Sequence, residues 1–368
     1  MRILLVVLAV LLLAPPAALR AAEARPNVLF LFADDQRADT IAALGNPVIK
    51  TPALDRIAKA GVAFERAYMQ GGLQGATCVP SRAMLLSGQG LFRADEKLLR
   101  DETWPAAFGR AGYATFMSGK WHNGEMTVRD EQLLPWPRPP DRVRAFLAEY
   151  YRYISHLDAQ IGRILDALEA SPHAKSTIVV FAADSGVARG SHGLSGKQSC
   201  YEHSMRVPLV IAGPGIPAGR QAAAMCYLFD VLPTLGARCG VPAPKASEGI
   251  DLGAVLADPA RPGRPHILLA YRNVQRAIRD DRWKLIRYPQ VDRTQLFDLQ
   301  ADPHETASLA DRPEHAAKVA ELTAVLQQQQ QHFGDTAPLK VADPKPAEWT
   351  PPAKGAKPGG KNRAAEEQ

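Results

Sequence analysis

At 368 residues, 46% hydrophobic and 22% charged, the chain can bury one large domain or two unequal ones, which excludes a wholly disordered protein. The formal charge of +6 comes from scattered bases, several in the first residues and in the Lys/Pro-rich end after Pro338, so no stripe for a nucleic-acid partner is present. Four cysteines, Cys78, Cys200, Cys226 and Cys239, are too few for a disulfide scaffold and lack paired metal-ligand spacing; Cys226 and Cys239 either pair or remain buried thiols.

Residues 1–24 read as an export signal: Arg2 supplies a positive start, Ile3 to Ala14 are aliphatic, and Ala22-Glu23-Ala24 offers a small-x-small cleavage site. Pro15 and Pro16 break a run already short for a membrane span, so a periplasmic or secreted protein with no stable span is expected. Asn27 to Ala33 is predicted as a strand buried on both faces and ending at the adjacent carboxylates Asp34 and Asp35. Thr51-Pro52 then gives an N-cap and a first helical proline, with Leu54, Ile57 and Ala58 at helical spacing and Gly61 at the stop. A strand over Val62 to Tyr68 leads into the Gly-rich loop Gly71 to Gly75, and a helix over Pro80 to Ser87 places Cys78 just before its N-terminus.

A helix near Thr103 to Arg110 is followed by a strand over Ala114 to Met117, which ends at Ser118-Gly119-Lys120. A long amphipathic helix spans about Asp141 to Glu169, and strands follow at Thr177 to Ala183 and Val207 to Ala212. Strands alternating with helices predict an α/β fold with a largely parallel central sheet flanked by helices, whose sites gather at strand carboxyl ends. After Pro265 the pattern changes: Ala277-Ile278-Arg279, a turn at Asp280-Asp281, and Trp283 to Ile286 read as an antiparallel hairpin. The expected division is therefore a catalytic domain over 25–264, a smaller α+β subdomain with an antiparallel sheet over 265–335, and a disordered tail over 336–368.

The segment Cys78-Val79-Pro80-Ser81-Arg82-Ala83-Met84-Leu85-Leu86-Ser87-Gly88 carries Cys-x-Pro-Ser-Arg followed by a Leu and a Ser-Gly. It resembles the formylglycine-dependent sulfatase family of the alkaline-phosphatase-like superfamily. Further segments share the resemblance: Asp34-Asp35, Gly119-Lys120-Trp121-His122, Gly196-Lys197, Tyr201 to Pro208 and Leu296 to Glu305. The resemblance implies that Cys78 is oxidised to formylglycine by a formylglycine-generating enzyme, and that one Ca²⁺ is bound. A sulfate monoester needs a strong oxygen nucleophile and concentrated positive charge, and an aldehyde hydrate supplies one hydroxyl to attack sulfur and another to expel sulfate. Carboxylates suit Ca²⁺ or Mg²⁺, so Asp34, Asp35 and Asp184 are the expected ligands beside modified Cys78. Arg82 would hold the hydrate or a sulfate oxygen, helped by the helix N-terminus. Lys120 and His122, two apart on an extended segment, match the family's sulfate clamp and elimination base, and Lys197 matches its contact to the bridging oxygen.

Two departures bear on activity. Ser185 stands where the family usually has Asn or His completing the metal shell, and is the expected fourth, weaker ligand. Between His122 and Asp184 the chain lacks a longer segment whose histidine protonates the leaving group; His192 either takes that role or only orders its loop. The expected activity is release of inorganic sulfate from a sulfated small molecule or sulfated glycan. A phosphoester or phosphonate hydrolase, or a non-catalytic binder of sulfated glycans, are the alternatives.

Overall fold

A computed structural model describes residues 25–98, 102–119 and 138–347. The expected signal, Lys120 and His122 lie outside the described residues. The chain opens with strand β1 (Asn27–Ala33), helix α1 (Pro52–Ala60) and strand β2 (Gly61–Tyr68), then the two-residue β3 (Gly71–Gly72) and helix α2 (Cys78–Ser87). Helices α3 (Trp104–Arg110) and α4 (Pro140–Glu169) precede β4 (Thr177–Ala183), and a single helical turn, α5 (Glu202–Met205), runs into β5 (Arg206–Ala212) and β6 (Arg220–Tyr227). After α6 (Val231–Cys239) and α7 (Gly253–Ala257) come β7 (Ile267–Tyr271), β8 (Gln275–Arg279), β9 (Trp283–Tyr288), β10 (Arg293–Asp298) and α8 (Ala316–Phe333).

The first sheet has the order β1-β4-β5-β2-β6. β1 and β4 are parallel, as are β2 and β6, while β5 runs antiparallel to both neighbours. Four strands thus point their carboxyl ends the same way. The second sheet, β10-β9-β8-β7-β3, is antiparallel except where β3 joins β7 in parallel, so a segment beside Cys78 belongs to the C-terminal sheet. Gly71 makes that possible: at φ +130° a Cβ would sit 1.7 Å from the Ala270 carbonyl.

Four expectations are corrected here. β1 is an edge strand, so Val28 to Phe32 are only half-buried, not enclosed on both faces. Ala114 to Met117 form no strand. The Tyr113 hydroxyl donates to the Pro26 carbonyl at 3.1 Å, tying the chain beside the start of β1, but residues 114–118 then run exposed and Phe116 is 93% exposed. A short run with ladder bonds available on one side only has too little to offset the cost of ordering it. Helix α2 starts at Cys78, not at Pro80. The tail is placed as far as residue 347, where Arg287 donates to the Leu339 carbonyl at 2.6 Å and Lys345 N–H to the Gln290 carbonyl at 2.8 Å. None of the four cysteines forms a disulfide. Among the described residues no helix is long and apolar enough to cross a membrane.

The N-terminus of α1 is also capped differently from its sequence signal. Thr51 spends its hydroxyl on Ala42 N–H and Asp55, while buried Asp158 of α4 accepts from Ala53 N–H (3.1 Å) and Leu54 N–H (2.8 Å). A carboxylate at a helix N-terminus meets both unpaired donors and the positive end of the dipole, so this contact pins α4 to α1.

Candidate active site

Parallel pairing brings the first acids together. Ala33 and Ala183 are register partners at the ends of β1 and β4, so the next residues, Asp34 and Asp184, emerge side by side, one strand spacing apart. The third approach is from α2, whose first residue is Cys78. Ligand atoms of Asp34, Cys78 and Asp184 all lie within 4.8 Å of one another. Gly186 lets the strand end sit close to α5, since a Cβ there would stand 2.1 Å from the His203 carbonyl.

Two cations reach the site, buried Arg82 and half-buried Lys197. Arg82, on the first turns of α2, donates through Nε (3.0 Å) and Nη2 (2.8 Å) to Asp184 Oδ2, with Nη2 3.7 Å from Asp34 Oδ1. Its guanidinium lies 5.0 Å from the centre of the Phe32 ring. Lys197 Nζ contacts Asp35 Oδ1 and lies 3.3 Å from Cys78 Sγ. Burial alone would pull the Lys197 ammonium down, but Asp35, Asp184 and Cys78 outweigh it and hold it above the ordinary lysine value. Burial, then the charge of Asp34, pushes the Asp184 carboxyl up to about 7, against the pull of Lys197 and Arg82.

Asp35 is joined to the group indirectly. Its N–H donates to Asp184 Oδ1 at 3.1 Å, and its own Oδ1 accepts from the Ser185 hydroxyl at 3.0 Å. Ser185, expected as a ligand, thus holds a neighbouring carboxylate. His192 faces elsewhere: its ring stacks on Tyr201 at 3.9 Å and lies 5.3 Å from His203. Both histidines line a cavity of about 450 Å³ with Arg37, Asp39, Arg206 and His304. Burial lowers the pKa of His192, and that of His203 well below its ordinary value. Sequence reasoning missed Tyr150, whose hydroxyl donates to the Asp35 carbonyl at 2.8 Å; its only signal was a buried position on α4.

The donor set fits a hard divalent cation. Two carboxylates converge, one of them fully buried and raised in pKa by that burial first and by the other's charge second, and a cation between them would favour the charged forms. The thiol of Cys78 is the softer member, and an oxygen in its place would complete an all-oxygen set.

Known proteins share both sequence and fold with this chain. The family model described as Sulfatase matches residues 26–132 and 126–241, and the one described as N-sulphoglucosamine sulphohydrolase, C-terminal, matches 190–332. The choline-sulfatase of Rhizobium meliloti (strain 1021) is 33% identical over 201 residues, covering 52% of this chain and 38% of its own length. The chain therefore spans about two-fifths of the length of that relative. A protein solved in complex with its substrate D-glucosamine-2-N,6-O-disulfate superposes with a TM-score of 0.70 at 21% identity, over 86% of this chain and 99% of the other. The phosphonate monoester hydrolase of Agrobacterium radiobacter gives 0.69 at 20% identity, over 84% and 96%. These likenesses establish the α/β fold as alkaline-phosphatase-like, with a C-terminal subdomain built on an antiparallel sheet. With family models spanning more than half of its length and the motif residues gathered at the strand ends, the chain belongs to the sulfatase family.

Proposed function

We propose that this protein hydrolyses an organic sulfate ester to an alcohol and inorganic sulfate. One observation carries the reading: Cys78, at the N-terminus of α2, shares a single site with two carboxylates and the cations of Arg82 and Lys197. Oxidised to formylglycine by a formylglycine-generating enzyme and hydrated, Cys78 supplies the oxygen nucleophile. A Ca²⁺ ion, or Mg²⁺ in its place, held by Asp34, Asp35 and Asp184, would neutralise a sulfate oxygen and acidify the attacking hydroxyl.

The chain's own residues divide the remaining work. Arg82 fixes Asp184 and Asp34 with a planar fork and keeps positive charge at the helix N-terminus, where a sulfate oxygen is further favoured by unpaired backbone N–H groups. Lys197, fully charged and 3.3 Å from Sγ, stands where negative charge builds on the ester oxygen. Ser185 orients Asp35. Lys120 and His122 are assigned the sulfate clamp and the base that takes the second hydroxyl's proton as sulfate leaves. Residues 1–24 are proposed to direct export to the periplasm or beyond. The catalytic unit is proposed to span 25–264 and the C-terminal subdomain 265–335.

The test is sulfate release by protein whose Cys78 peptide has the mass of formylglycine, on a matched aryl sulfate and aryl phosphate. Turnover of the sulfate, abolished in Cys78→Ala, is expected. Preference for the phosphate ester would assign the site to phosphoester or phosphonate hydrolysis instead. Binding of sulfated glycans without release by modified protein would make this a non-catalytic member.

A further inference from the structure

The turn after β1 requires an explanation that the ligand residues themselves do not give. Along an extended strand successive side chains point to opposite faces, so Asp34 and Asp35 could not both turn toward Asp184 if β1 simply continued. The structure breaks the alternation at Asp35, which takes the left-handed region at φ 55°. Aspartate tolerates that region better than most residues, but it still needs contacts to hold it there.

Contacts on all three of its polar groups hold Asp35. Its N–H donates to Asp184, its carboxylate accepts from Ser185 and Lys197, and its carbonyl accepts from the Tyr150 hydroxyl at 2.8 Å. The first two are made by residues already assigned to the site. The third is not. Tyr150 comes from the middle of α4, is 4% exposed, and its oxygen also accepts the Arg37 N–H at 3.1 Å. One hydroxyl therefore bridges Asp35 and Arg37, donating to the carbonyl of the first and accepting from the N–H of the second. The helix carrying it is anchored independently where its Asp158 accepts from the N-terminal N–H groups of α1, which gives Tyr150 a fixed base to act from.

We infer that Tyr150 is a positioning residue of the ion site: by clamping the Asp35 turn it fixes where the Asp34 and Asp35 carboxylates stand. The inference rests on the reading above that these carboxylates hold a divalent cation. Tyr151 supplies the control, being the next residue of the same helix with its hydroxyl accepting from Asn46 at 3.4 Å, away from Asp35.

Calcium dissociation constants, measured calorimetrically on the full chain, test it without requiring turnover. Removal of such an outer contact is expected to weaken Ca²⁺ binding about tenfold in Tyr150→Phe, with Tyr151→Phe unchanged. Tyr150→His, which retains a ring donor, is expected to lie between wild type and Tyr150→Phe. A lower melting temperature in Tyr150→Phe with unaltered calcium affinity would overturn the inference and leave the ion site standing. A wild-type protein that binds no Ca²⁺ would remove the ion reading, and this inference with it.

Discussion

Lys197 and His192 come from one loop but meet different neighbours. Lys197 turns into the site, between Asp35 and the Cys78 sulfur, whereas His192 lies flat on Tyr201. A general acid has to reach the leaving oxygen, and its contribution grows as the leaving group becomes poorer. The stacking predicts that His192→Ala lowers kcat/KM by the same factor on an aryl sulfate and an alkyl sulfate, through disturbance of the loop. Were His192 the acid, the alkyl ester would suffer more, by about 10²-fold. Measuring both substrates with both proteins decides between the roles, and a large excess loss on the alkyl ester would restore the acid assignment.

At the scale of elements, α5 shows how a single helical turn can make stability depend on pH. His203 is buried there, with Ser199 Oγ 3.3 Å from its Nε2, and its protonated form is further disfavoured by Arg37, His192 and Lys284. Its native pKa therefore lies well below 6.5, so the unfolded chain takes up the proton first. Stability is full above about pH 6.5 and is lost as pH falls from there toward the depressed native value, by up to about 1.4 kcal/mol per pH unit. His203→Gln should flatten that loss in urea midpoints measured across the acid range; parallel curves for the two proteins would refute it. The sequence marks β5 well, because a short apolar run is a local signal, and β5 starts one residue before the expected Val207. The Cys78 motif was legible for the same reason, being contiguous. Ala114 to Met117 was misread because strand formation there depends on a partner, and sequence pattern carries no record of partners. Tyr150 was invisible as a site residue: its contact spans 115 positions, and an aromatic on a buried helix face looks like ordinary core.

Across the whole molecule, the two sheets are held together by a buried ionic group under the site. Glu202 of α5 accepts from Tyr68 of β2 (2.9 Å), Arg279 of β8 (2.7 Å) and Lys284 of β9 (3.1 Å), and its N–H donates to Glu305. Lys284 is fully buried and also lies 2.9 Å from Glu305. Burial alone would lower the Lys284 pKa, yet Glu305 and Glu202 together hold it above its ordinary value. Such a group adds little compared with an apolar core of the same shape, but removing one member strands the others in a low dielectric. Lys284→Met should therefore cost about 3–5 kcal/mol in denaturant unfolding. Replacing exposed Arg293, 4.0 Å from Asp311, should cost under about 1 kcal/mol. The deficit also has a pH signature. Burial already raises the Glu305 carboxyl, and without Lys284 to oppose that, its folded pKa rises further above the unfolded value. A carboxyl so raised is tolerated while protonated and becomes costly as pH climbs through its folded pKa, so the Lys284→Met penalty should shrink in acid and grow toward neutrality. Equal penalties at both ends of that range would mean that Glu305 keeps its charge balanced by Arg279 alone, and that the coupling between the sheets does not pass through Lys284.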